Sequence, residues 1–348
     1  MHPCPHSSCR YGAHQSREQV AELVTPHPDT LELVNSWLKH HGVPSSSVST
    51  SHGGGWLTLT GVPVSQANAL LGASFELYHH TETKDQILRT LGYAIPTVLH
   101  AHVQSVAPTT YFGSPRTPRQ TTRERSGEAV QAPGRPVSGE LRETLSSRTG
   151  LITPPILRWL YNLSTYVPIA ADRNALGVVG LHGDYPSPLD MTTFMSLFRA
   201  DVEDPTFDFV QIGGGNLQDI PNMEASVDIQ YTGAIAYPTH IIYYSNAGTD
   251  IFMWLSYALS QHSVPPTISM SYGGFEQDFA EGYAKALCNL FAQLGLRGSS
   301  VIFSSGDTAV GRGDCKVNDG SGKVQFLPTF PSSCTHGVVS SLANSTCV

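Results

Sequence analysis

Charged side chains are scarce in this chain, and it has no excess of basic residues. Asp, Glu, Lys and Arg make up 14% of the 348 residues, and the 28 acidic residues outnumber the 20 basic ones. A protein that binds nucleic acid needs a basic surface to neutralise phosphates, so this balance argues against a nucleic-acid partner. No run of about 18 apolar residues occurs either, so we expect no membrane-spanning helix.

Signals for export and for metal binding are also missing from the sequence. The N-terminus has no apolar segment of the kind found in signal peptides, and no C-x-x-C pair points to zinc. The 15 histidines include the pairs His40-His41 and His79-His80, which lack the spacing of metal ligands. Few charges together with many Ser, Thr, Gly and Pro are nevertheless typical of a secreted protein. We therefore expect that the natural N-terminus is missing from this sequence.

The six cysteines do not by themselves decide between a reducing and an oxidising compartment. Cys315 and Cys334 enclose a loop rich in Gly, Asn and Asp and could form a disulfide, while Cys288 lies in a predicted helix. Such a bridge would be consistent with an oxidising compartment.

Residues 16–106 predict a small antiparallel α+β domain, because short amphipathic stretches alternate with short strands. Glycines at 42 and 72 end two of the predicted helices. The predicted elements are a helix from the capping box of Ser16 and Gln19 to Val24, a helix capped by Asp29, a strand over 56–60, a helix opened by Ser65, and a strand over 75–78.

The stretch from Ser114 to Arg148 has almost no apolar periodicity and is rich in Arg, Ser, Gly and Pro. This composition predicts a solvated linker. An exposed basic linker is a site where a processing protease would cut, although a plain spacer is the alternative.

From Ile152 onwards, short apolar runs alternate with helical patterns, which predicts a mainly parallel sheet flanked by helices. Functional groups of such sheets gather beyond the carboxyl ends of the strands. The predicted strands are 175–181, 207–212, 241–244, 267–271 and 300–305, and the predicted helices include 250–261 and 280–294.

Three acidic residues are the candidate chemical groups. Glu224 and Asp228 lie four residues apart on a predicted helix, so they share one helix face. Their apolar neighbours predict a half-buried carboxylate pair that shares protons, although a solvated acidic face is the alternative. Asp307 follows a predicted strand within Ser-Ser-Gly-Asp, where a turn aspartate is the alternative to a catalytic acid.

Several segments together resemble the sedolisin family of serine-carboxyl peptidases, which includes tripeptidyl peptidases. The matching segments are E-A-S-V-D-I-Q-Y at 224–231, S-S-G-D at 304–307, T-I-S-M-S-Y-G-G at 267–274 and P-T-F-P-S-S-C at 328–334. Upstream, 11–14, the VAELVTPHPDT region and A-P-T-T-Y-F at 107–112 resemble the family's prodomain, and 152–162 resembles the start of the mature enzyme.

The resemblance implies a subtilisin-like α/β fold preceded by a small prodomain. Residues 1–115 would be the prodomain, incomplete at its N-terminus, 116–151 the activation linker, and 152–348 the catalytic domain, incomplete at its C-terminus. It also implies a secreted, monomeric acid peptidase, either a tripeptidyl aminopeptidase or an endopeptidase. Its partners would be a peptide or protein substrate and its own prodomain.

The same resemblance implies roles for the three acids. Glu224 would be the general base toward a serine, Asp228 would orient it, and a protonated Asp307 would donate to the oxyanion. Because a carboxyl group replaces histidine as the base, such an enzyme works at acidic pH.

The family's nucleophile lies in a G-T-S-x-x-x-P segment, and no Gly-Thr-Ser occurs in this chain. The family's calcium ligands would also lie beyond Val348. We therefore expect a chain that lacks both natural ends and has no peptidase activity as given. Ser271, Ser304 and Ser305 lack a G-x-S-x-G elbow, and we do not expect them to replace the nucleophile. His182-Gly183-Asp184 is only superficially similar to the histidine motif of subtilisin.

Two further functions stay open at this point. The chain could be a non-catalytic fragment that inhibits a relative, or helps it to fold, through its prodomain. It could also be a glycosidase that uses Glu224 and Asp228, which would need carboxyl groups about 5–9.5 Å apart across a sugar cleft.

Overall fold

The computed structural model describes residues 12–79, 86–112, 152–214, 221–304, 306 and 315–340. The predicted linker over 116–151 and the candidate acid Asp307 lie outside these residues.

The N-terminal part is a small α+β unit, as the sequence predicts. Its two hairpins are antiparallel, and a small core centred on Leu38, Leu71 and Leu99 joins the helices to the strands. Its elements are helices α1 (Arg17–Val24), α2 (Pro28–His40) and α3 (Val64–Leu71), and strands β1 (Val48–Thr50), β2 (Leu57–Leu59), β3 (Glu76–His79) and β4 (Gln86–Arg89).

The helix ends of this unit test the capping predictions. The capping box of Ser16 and Gln19 at the start of α1 is confirmed. Asp29 as the cap of α2 is wrong, because Pro28 occupies the first turn and the His27 ring accepts a hydrogen bond from the backbone N–H of Asp29. Proline fits the first turn of a helix, where its missing N–H would have no partner, so the helix starts earlier than predicted. Ser65 as the start of α3 is wrong for a similar reason, since α3 starts at Val64 after Pro63.

The C-terminal part has a six-stranded parallel sheet with the strand order β12-β10-β8-β5-β7-β6, and a short antiparallel pair formed by β9 and β11. The prediction of a parallel, helix-flanked sheet is confirmed. Its helices are α4 (Pro154–Leu160), α5 (Pro188–Phe198), α6 (Met223–Ala236), α7 (Ile251–Ser260) and α8 (Glu281–Leu296); its strands are β5 (Ala175–Gly180), β6 (Asp208–Ile212), β7 (His240–Asn246), β8 (Thr267–Met270), β9 (Gly274–Phe275), β10 (Ser300–Ser304), β11 (Thr329–Phe330) and β12 (Val338–Ser340).

Helices cover both faces of this sheet. Val178 and Tyr243 point to the face covered by α5 and α6, where they pack with Met191 and Ile229. The opposite face packs against α7 and α8, and Trp254 is fully buried there. Because both faces are buried, β5 and the middle of β7 are continuous apolar runs rather than alternating ones, as is typical of parallel sheets.

The disulfide of this part differs from the predicted one. Cys334 pairs with Cys288 of α8, with a Cα–Cα distance of 5.7 Å. The predicted bridge between Cys315 and Cys334 is therefore wrong, and Cys315 is disulfide-bonded as well. Cys334 is buried in the core that α8 packs against, which brings it close to Cys288 although 46 residues separate the two along the chain.

The N-terminal unit contacts the α7–α8 layer, on the opposite face of the sheet from α6. The ring of Trp56 packs against Phe252 with a centroid distance of 4.3 Å, and Tyr111 stacks on Phe279 at 4.5 Å. At the other end of the layer, the Arg17 guanidinium donates to the carbonyl of Ser260 at the end of α7. A cation at a helix C-terminus is favourable because it complements the helix dipole.

Candidate active site

Helix α6 begins beyond the carboxyl ends of the central strands. The side chain of Asn222 caps it by accepting a hydrogen bond of 2.9 Å from the backbone N–H of Ala225. The backbone N–H of Asn222 donates to the carbonyl of Tyr185, at 3.1 Å, in the segment that follows β5. These two bonds fix the first turn of α6 at the edge where groups of a parallel sheet can act on a ligand.

Glu224 and Asp228 lie on successive turns of α6, as predicted, and both are half-buried. Ala225 and Ile229, one position further along, are fully buried against the sheet. The two acids therefore occupy the border between the packed and the open face of the helix. Two half-buried carboxyl groups in this position can accept and release protons in a reaction.

Ser271, which follows β8, lies against this pair. Its hydroxyl donates a hydrogen bond of 3.0 Å to Oδ1 of Asp228. The sequence places Ser271 only at a strand end, and the structure adds its hydrogen bond to Asp228. A donor of this kind orients the carboxylate and stabilises its negative charge.

Asp184 is a further acid at this edge, which the sequence did not single out as a site residue. The hydroxyl of Tyr272 donates to its carboxylate, and Ser245 donates to its backbone carbonyl at 2.9 Å. Burial raises the pKa of Asp184, while the hydrogen bonds from Tyr272 and Asn222 and the charge of His182 act in the opposite direction. Asp184 therefore binds its proton more tightly in the folded protein than in the unfolded chain.

We predict that replacing Asp184 with Asn flattens the dependence of stability on pH. The pKa of Asp184 is raised on folding, so its contribution is fully present below its unfolded pKa and is lost as pH rises through the higher folded value. Asn cannot ionise, so D184N should lose less stability than the unmodified chain between pH 3 and pH 7. Urea unfolding at a series of pH values measures this loss, with D204N at an exposed position as the control. Equal slopes for all three proteins would contradict the prediction.

The third predicted acid, Asp307, lies outside the described residues, so its position relative to α6 stays a prediction. Strand β10, which precedes it in the sequence, ends at Ser304 and is the neighbour of β8 in the sheet. Within the described part of the chain, no group of three or more His, Cys, Asp or Glu side chains could hold a metal ion. The calcium that the resemblance implies likewise stays a prediction.

Comparisons with known proteins show which proteins this chain resembles. Residues 5–112 match the family model of the pro-kumamolisin activation domain. Over 93% of its length, the chain is 34% identical to a probable tripeptidyl-peptidase SED3 of Arthroderma benhamiae and 32% identical to the tripeptidyl-peptidase SED2 of Arthroderma otae. These matches support a proenzyme of the sedolisin family.

The chain matches only part of the length of these relatives. The chain spans 56% of the length of the first of these sedolisin relatives and 57% of the second. A solved structure of Pseudomonas sedolisin in complex with pseudo-iodotyrostatin aligns with 54% of this chain and with 52% of the sedolisin chain. The sequence identity is 20% and the TM-score is 0.42. Among the described residues, no helix is both long and apolar enough to cross a membrane.

Proposed function

We propose that this chain carries the prodomain and the acid half of the active site of a sedolisin-type tripeptidyl peptidase that works at acidic pH. The observation that supports it most is the half-buried pair of Glu224 and Asp228 at the carboxyl edge of the sheet, within a chain of this family. The names of the Arthroderma relatives give tripeptidyl peptidase as their activity, and we assign this activity to the present protein by similarity.

In this proposal Glu224 is the general base that takes the proton of a serine hydroxyl as the serine attacks the peptide carbonyl. The proton returns from Glu224 to the leaving amine, and a water molecule then repeats the attack on the acyl-enzyme. Asp228, held by Ser271, orients Glu224 and shares its charge. Asp307, in its protonated form, donates a hydrogen bond to the oxyanion.

The protonation states set the working pH. Glu224 has to be ionised to accept a proton, whereas Asp307 has to keep its proton to act as a donor. Both conditions hold together only where carboxyl groups are partly protonated, which is at acidic pH. We also propose that the protein is secreted and monomeric. The disulfide between Cys288 and Cys334 supports an oxidising compartment.

The test is the release of N-terminal tripeptides by a chimera. Residues 1–334 of this chain would be joined to the C-terminal part of the Arthroderma benhamiae relative, which supplies a G-T-S segment if it follows the family pattern. We expect the chimera to release tripeptides between about pH 3 and pH 5, the range where carboxyl groups are partly protonated, and to be inactive near pH 7.

The 348-residue chain serves as the matched control. We expect it to release no tripeptide at any pH, because no Gly-Thr-Ser occurs in it. A chimera that folds and shows no acid activity would contradict the proposed function, and acid activity of the 348-residue chain alone would contradict the need for the serine segment.

A further inference from the structure

Tyr243 of β7 is a core residue that interacts electrostatically with Asp184, Asp228 and Glu224, which together form the acid site. Its side chain is fully buried on the face that α6 covers, and its ring stacks on Phe209 with a centroid distance of 6.1 Å. The hydroxyl lies directly over Gly180, the last residue of β5. A Cβ at position 180 would come within 1.9 Å of the hydroxyl oxygen, so only glycine leaves room for it.

The hydroxyl of Tyr243 is unusual because it is buried without a partner. Among the residues that the structure describes, no group forms a hydrogen bond with it. A buried hydroxyl without a partner is costly, and phenylalanine would fill the same space without that cost. The presence of tyrosine here therefore needs a reason beyond packing.

The surroundings of this hydroxyl are acidic. Burial, followed by the charges of Asp184, Asp228 and Glu224, raises the pKa of Tyr243 well above the ordinary value for tyrosine. Tyr272, whose hydroxyl donates to Asp184, also interacts electrostatically with Tyr243. The phenol of Tyr243 thus stays protonated as a hydrogen-bond donor in a region where the other groups are mainly acceptors.

We propose that Tyr243 is a positioning residue of the acid site, whose hydroxyl donates through one bridging water to the carboxylates of Asp184 and Asp228. A buried water needs two to four polar partners, and the groups that interact electrostatically with the Tyr243 hydroxyl include both of these carboxylates. The role rests on the proposed function, since it concerns the acids that would activate the serine. Donation to a carboxylate favours its ionised form, so Tyr243 would help to keep the Asp228–Glu224 pair charged at acidic pH.

The first test measures the melting temperature of the 348-residue chain with Tyr243→Phe between pH 3 and pH 7. The hydroxyl that Y243F removes stabilises charged carboxylates. We therefore expect Y243F to have a lower melting temperature than the unmodified chain at pH 7, and this difference in melting temperature to shrink toward pH 3. Tyr244→Phe is the matched control, because Tyr244 is the next residue of β7, is equally part of the core, and faces α7 and α8. Its effect should not vary with pH in this way.

The outcomes separate a positioning role from simple packing. Y243F that melts above the unmodified chain, or that shifts by the same amount at every pH, would overturn the proposal. A second measurement guards against a general loss of folding. In a chain that already carries both Asp184→Asn and Asp228→Asn, Y243F should lose most of its pH-dependent effect, and a fully additive effect would also overturn the proposal.

The active chimera gives an independent readout. Y243F should move the acid limb of kcat/KM to higher pH, by up to about one pH unit, with KM unchanged. An unchanged acid limb would count against the proposal. The melting experiments need no peptidase activity, so failure of the positioning role and failure of the proposed function can be told apart.

Discussion

Glu224→Gln in the chimera should reduce the rate of tripeptide release about a hundred- to ten-thousand-fold, which is the usual contribution of a positioned general base. Gln keeps the size and hydrogen-bonding shape of Glu224 but cannot accept the proton of the serine. The loss should appear in kcat rather than in KM, because the substrate contacts are unchanged. Steady-state kinetics at the pH optimum measure both constants.

Glu281→Gln is the control for this substitution. Glu281 also lies in the first turn of a helix, but it is exposed and pairs with Lys285. An exposed ion pair of this kind contributes little, so E281Q should retain nearly the full rate. If E224Q and E281Q had similar rates, Glu224 would not be the base.

Gly180→Ala should destabilise the fold by about 1–3 kcal/mol, the usual cost of overpacking a core. The new methyl group would clash with both the hydroxyl oxygen and the ring carbon of Tyr243, at 1.9 and 2.7 Å. Tyr243 is fully buried, so it cannot move aside without disturbing β7 or α6. Urea unfolding at one fixed pH measures the difference.

The same substitution at Gly295 is a sensitive control. Gly295 lies near the end of α8, is exposed, and has open space where a Cβ would be. Ala is the better helix former, so G295A should be neutral or stabilising by up to about 1 kcal/mol. If G180A were as stable as G295A, the packing of Tyr243 over Gly180 would be wrong.

Local sequence patterns predicted the framework of the site well. The apolar stretch around Glu224 and Asp228 marked a helix, and the structure places both acids on α6. The short apolar runs marked strands β5, β6, β7, β8 and β10 to within a few residues, because strands buried on both faces are rich in apolar residues. Errors arose at helix starts, where a helix that begins at Pro28 and one that begins just after Pro63 both start earlier than predicted.

The contacts around the acids could not be predicted from local patterns. Tyr272 is 88 residues from Asp184 along the chain, and Ser271 is 43 residues from Asp228. Only the order of strands in the sheet brings these side chains together, and one sequence does not reveal that order. Asp184 did carry one local signal, its place directly after a buried strand, which also marked Asp307.

The most direct measurement of the central claim is covalent labelling of the chimera with diisopropyl fluorophosphate. The reagent reacts with an activated serine, so it reports the base without depending on substrate specificity. We expect about one label per molecule at acidic pH, on the serine of the G-T-S segment, and almost none when Glu224 is replaced by Gln. Labelling of a folded E224Q chimera at the full rate would contradict the claim that Glu224 activates the serine.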